Sequence, residues 1–115
     1  KMPLFGRYYG SSEGQAPQAN KFYSNLKKAN QHENELKGRR EAGESTKEYL
    51  AENRGVWMFV AAGNQAEREV SKLRKMKRQL TERDAPKEQI KRIDDRITKT
   101  MERFNERAEK FDAMN

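Results

Sequence analysis

The sequence predicts an all-α fold organised around an antiparallel helical hairpin over residues 64–113. One observation is the second arm. Ile90, Ile93, Ile97, Met101, Phe104, Ala108 and Phe111 recur at spacings of 3, 4, 4, 3, 4 and 3, which places them on one helical face. A second is the punctuation at Asp84-Ala85-Pro86, which separates that arm from another apolar stripe: Ala66, Val70, Leu73, Met76 or Lys77, and Leu80. A third is composition. With 37% charged and 33% hydrophobic residues, the chain has material for a narrow coiled-coil-like seam rather than a broad core.

Residues 1–16 read as an extended aromatic arm, because Lys1 to Gly10 is aromatic and glycine-punctuated and Ser11 to Asn20 is small and polar. Leu4, Phe5, Tyr8 and Tyr9 are too apolar for a free tail. They either lie across the helices as a lid or dock on another subunit or domain. A long helix follows over 17–41. Phe22, Leu26, Ala29, Glu33 and Leu36 mark its inner face, and Gly43 closes it. Ser45-Thr46-Lys47-Glu48 matches a capping box, which predicts a short helix over 46–53 stopped by Asn53-Arg54-Gly55.

Val56-Trp57-Met58-Phe59-Val60-Ala61-Ala62 is apolar throughout, so its periodicity does not choose between helix and strand. A lone strand would have no partner here, which favours a helical turn or an irregular plug where the helices meet. Exposed, it would serve instead as an anchor for a partner, as tryptophans often do. Gly63 or Asn64 then opens the first hairpin arm. In the second, Asp84 caps the start and Pro86 sits near the first helical position, where a missing N–H costs nothing.

The domain organisation expected is a single helical domain over 1–115. It comprises the arm (1–16), helices plus the apolar segment (17–63) and the hairpin (64–115). Lys at position 1 points to a piece of a longer chain. No signal-peptide pattern appears, and no apolar run reaches the length of a membrane span. The absence of cysteine excludes disulfides and thiolate metal sites.

Catalytic chemistry finds no foothold. His32 is followed by Glu33, but Leu36 stands where a zinc helix would need its second histidine. The carboxylates are interleaved with Lys and Arg, the pattern of solvated ion pairs rather than of a paired acid and base. No phosphate loop or nucleophile elbow is present. No cofactor or metal is expected.

The net charge of +7 is shared by both halves: residues 1–63 hold 10 basic against 7 acidic residues, and 64–115 hold 15 against 11. The densest basic run is Lys72, Arg74, Lys75, Lys77 and Arg78, preceded by Arg68. On a helix these cover more than half the circumference. They suit phosphate-backbone contact or a face of ion pairs, the facing arm supplying Asp94 and Asp95.

Several strings carry a resemblance. They are Pro3-Leu4-Phe5-Gly6-Arg7-Tyr8-Tyr9-Gly10, Gln15-Ala16, Ala19-Asn20-Lys21-Phe22-Tyr23, Leu36-Lys37-Gly38-Arg39-Arg40, Val70-Ser71-Lys72-Leu73-Arg74-Lys75-Met76 and Arg103-Phe104-Asn105. Together they resemble the C-terminal helical region of very large phage and prophage polyvalent proteins, whose many domains travel with phage DNA into the host. Related large proteins act as internal virion or ejection proteins. The resemblance spans nearly the whole chain, and its motifs are structural, so it brings no active-site residues.

The function expected is that of a non-enzymatic assembly module of a phage-encoded internal virion or DNA-ejection protein. It would reside in the virion, or in the host cytoplasm after delivery. Phe5, Tyr8, Tyr9, Trp57 and Phe59 are the expected apolar anchors for other chains, for upstream domains or for self-association. The alternative is a nucleic-acid-binding module using Arg68, Lys72, Arg74, Lys75, Lys77 and Arg78. A third class is an accessory domain of a larger phage enzyme.

Overall fold

The computed structural model describes residues 16–43 and 51–114. The aromatic arm and most of the expected short helix lie outside the described residues, which resume with Ala51 and Glu52 in helical conformation. The fold is all-α, as the periodicity predicts. Its helices are α1 (Ala16–Glu41), α2 (Arg54–Glu82) and α3 (Lys87–Met114).

α1 ends where the sequence places its stop. Gly43 adopts a φ of 87°, and its N–H donates to the Arg40 carbonyl at 3.0 Å. Only glycine takes that left-handed conformation without a Cβ penalty. The inner face of α1 buries Phe22, Asn25, Ala29 and Leu36.

α2 corrects an expectation. Its first arm does not open at Gly63 or Asn64 but at Arg54, so Val56–Ala62 is helical, one of the two forms expected, and not an irregular plug. It is the start of a 29-residue helix, about 44 Å long at 1.5 Å per residue. Glycine weakens a helix interior, which is why Gly63 reads as a boundary. Its role in the fold is close approach. A Cβ at position 63 would lie 3.1 Å from the Ala29 Cβ of α1 and 3.2 Å from Cζ of Phe104 in α3. At Gly63 both neighbouring helices thus come close to α2, and the residue there must be small.

The turn between α2 and α3 also differs in detail. Asp84 is not a cap for α3. It terminates α2 with a φ of 55°. The Asp84 N–H donates to the Thr81 carbonyl at 3.1 Å, and the Ala85 N–H to the Leu80 carbonyl at 2.9 Å. This is the Schellman arrangement, with aspartate where glycine is usual. Pro86 immediately precedes α3, and its carbonyl accepts from the N–H groups of Gln89 and Ile90.

α2 and α3 run antiparallel, and α1 lies against both. The buried stripe of α3 is Ile93, Ile97, Met101, Phe104 and Ala108, with Ile90 and Phe111 half-buried at its ends. It meets Phe59, Ala66, Val70 and Leu73 of α2 and Phe22 and Ala29 of α1. Phe59 lies between Phe104 (5.4 Å, stacked) and Phe111 (4.3 Å, stacked). His32 of α1 is edge-on to Phe59 and Phe111, at 6.3 and 5.4 Å. Phe22 meets Phe104 edge-on at 5.8 Å.

A buried polar contact fixes α1 on α3. Asn25 Nδ2 donates to Asn105 Oδ1 at 2.9 Å. Asn105 Nδ2 donates in turn to the Gln18 carbonyl at 3.3 Å. Asn105 is 3% exposed and Asn25 8%. Shifting α1 along α3 would strand these amides inside the bundle, at roughly 1–3 kcal/mol for each unsatisfied group.

Two substitutions test this account. Gly63→Leu drives a side chain into Ala29 and Phe104 and should lower stability by about 2–3 kcal/mol in urea unfolding. Asp84→Gly should raise it by about 1 kcal/mol, because the left-handed residue loses its Cβ penalty. Its lost charge stands between a helix C-terminus and a helix N-terminus, so the two dipole effects largely cancel.

Candidate interaction surfaces

The expected anchors separate. Phe5, Tyr8 and Tyr9 lie outside the described residues. Phe59, expected as a partner-facing anchor, is corrected: it is 2% exposed and sandwiched between two phenylalanines of α3. It sits on the inward face of α2, in the same stripe as Ala66, Val70 and Leu73, so the hairpin itself covers it. Trp57 is half-buried and Met58, its neighbour, is 55% exposed. The Arg40 guanidinium carbon stands 5.1 Å from the centre of the Trp57 ring, so the end of α1 rests on the indole. The indole N–H is shielded from solvent with no hydrogen-bond acceptor among the described residues. Met114, at the end of α3 beside the start of α2, is also largely exposed.

The basic run does not form one surface, as its spread over more than half the helix circumference implies. Lys77 is half-buried on the hairpin seam, its Nζ 2.7 Å from Asp94 Oδ1. Arg74 turns to α1, its guanidinium carbon 5.5 Å from the ring centre of Tyr23. Arg68, Lys72, Lys75 and Arg78 remain exposed on α2. Five to seven consecutive positions wrap a helix fully, so a basic cluster along the chain is dispersed around the axis.

The side of the hairpin away from α1 is an open groove of about 320 Å³. Ala62, Ala66 and Phe104 form its floor; Gln65 and Glu69 wall it from α2, and Thr100, Arg103 and Arg107 from α3. Glu69 Oε2 accepts from Arg96 Nη2 at 3.4 Å across the groove. The Thr100 hydroxyl donates to the Arg96 carbonyl at 2.9 Å and so is turned into its own helix.

The cross-helix ion pairs have a direction. Lys21 and Lys28 of α1 reach Glu109 (3.7 Å) and Asp112 (2.8 Å) of α3. The acids of α3 that pair with α1 therefore sit on the flank facing it. Among the described residues, no group of three or more His, Cys, Asp or Glu side chains is placed to hold a metal. No described helix is long and apolar enough to cross a membrane.

No family model, curated protein or solved structure matches the chain.

The contrast between Phe59 and Trp57 is testable. Phe59→Ala should cost about 3–5 kcal/mol of unfolding free energy through the cavity it leaves between Phe104 and Phe111. Trp57→Ala, at a half-open site, should cost less than half as much in the same denaturant titration.

Proposed function

We propose that this chain is a non-enzymatic helical assembly module that works by packing against other protein. The supporting observation is the apolar end of the bundle. Trp57, Met58 and Met114 place half-open and exposed apolar side chains where α2 begins and α3 ends. A shielded indole donor without an acceptor is unfavourable by roughly 1–3 kcal/mol. A contact that reseats the ring against a partner carbonyl relieves it. Tryptophan and methionine side by side are also the residue types that anchor protein interfaces.

The resemblance to large phage polyvalent proteins supplies the setting. In this reading the module belongs to an internal virion or DNA-ejection protein, is packaged in the virion and enters the host cytoplasm on delivery. Its partners are other virion chains, upstream domains of its own polypeptide, or copies of itself. A thin seam with little apolar surplus fits a module completed by its neighbours.

Light scattering coupled to size exclusion tests the reading. A discrete oligomer should persist from 50 mM to 1 M salt, since apolar contacts are not screened. Trp57→Ala combined with Met58→Asp should convert it to monomer while leaving helical circular dichroism unchanged. A wild-type chain that is monomeric at both salt concentrations overturns self-assembly through this end.

A further inference from the structure

One face of α3 carries a charge pattern that the local density of the sequence conceals. Arg92, Arg96, Lys99, Arg103, Arg107 and Lys110 recur at spacings of 4, 3, 4, 4 and 3, so they form one row along the helix. The row spans 18 residues, about 27 Å at 1.5 Å per residue. All six side chains are exposed. Asp95, Glu102, Glu106 and Glu109 fall on the neighbouring exposed strip, and Glu109 at its end meets Lys21 of α1. Of the six, Arg96 alone has an ion pair among the described residues, with Glu69. Arg103 and Arg107 line the open groove, and Lys72 lies one turn beyond Glu69 on the facing wall.

We propose that this open face of the hairpin binds the phosphate backbone of duplex nucleic acid, with Arg103 and Arg107 as the central contacts, Lys99 beside them and Lys72 toward the Arg92 end of the row. The surface is distinct from the Trp57 end, and the proposal does not rest on the assembly reading. Three features select this occupant. A straight row of exposed cations matches a linear polyanion, and phosphate contact needs no base recognition. The groove has no exposed aromatic ring, because Phe104 is buried in its floor, so it lacks the stacking platform that single strands require. A second copy packed on this face by two-fold symmetry would set the basic row against itself, like charge against like.

The test is fluorescence anisotropy with a labelled 20-base-pair DNA duplex of arbitrary sequence and the full chain. About four phosphate contacts predict a slope near −3.6 in log K against log salt, hence roughly 150-fold weaker binding at 200 mM than at 50 mM. Arg103→Glu with Arg107→Glu should weaken binding at 50 mM at least tenfold more than Lys75→Glu with Arg78→Glu. Both pairs change net charge equally, and none of the four residues has an ion pair to lose among the described residues. Circular dichroism confirms that each variant is folded. The proposal is overturned if the duplex does not bind at 50 mM, or if the two double variants lose affinity equally. It is likewise overturned if a 20-nucleotide single strand or polyglutamate of equal charge binds as tightly as the duplex.

Discussion

The rest of this structure depends on Phe59 being held between Phe104 and Phe111. Those two residues are seven apart on α3, two turns, and the ring from α2 enters the gap with near-parallel stacking on both sides. One such contact fixes the register of an antiparallel pair, because sliding either helix by a turn removes the ring from its slot. Aromatic pairing adds roughly 0.5–1.5 kcal/mol per pair beyond burial. That register then brings Gly63 opposite Phe104 and makes room for Ala29. α1 docks against the stack through Phe22 and His32, and the three helices share one core although each contributes only a narrow stripe.

How much of this could be read from the chain depends on how each residue carries its signal. α3 was legible almost residue by residue, since polar positions bracket every apolar one and leave a single phase for the helix. Val56–Ala62 was not, because seven consecutive apolar residues have no phase. The glycine after them then read as a boundary when it is a contact. Asp84 had two helix ends to serve, and its backbone conformation rather than its side-chain chemistry decides which. Gly43 had only one, and its position was readable.

The buried amides show a different kind of loss. Asn25 lies three residues after Phe22 and four before Ala29, and Asn105 lies four after Met101 and three before Ala108. Each therefore stands on or beside an apolar face, which is the signal that would have found the pair. Either one alone resembles an ordinary surface asparagine, and only the docking of α1 parallel to α3 makes them partners. Of the candidate surface residues, exposure separated Trp57 from Phe59, two positions apart, because α2 turns about 200° between them.

Charge settles which side of the hairpin α1 covers. An antiparallel helix pair offers a groove on each side, and apolar stripes this narrow do not distinguish strongly between them. On the observed side, Lys21 and Lys28 meet Glu109 and Asp112, while Asn25 meets Asn105. On the other side the same lysines would approach Arg103 and Arg107. Each exposed pair stabilises by less than about 1 kcal/mol, but exchanging attraction for repulsion at two positions, together with stranding two amides, separates the alternatives by more than any single pair could. Glu109 and Asp112 are thereby held against α1, and Arg103 and Arg107 are left lining the open groove. The side chains that α1 covers and those it leaves open are thereby set by the same contacts that close the bundle on one side only.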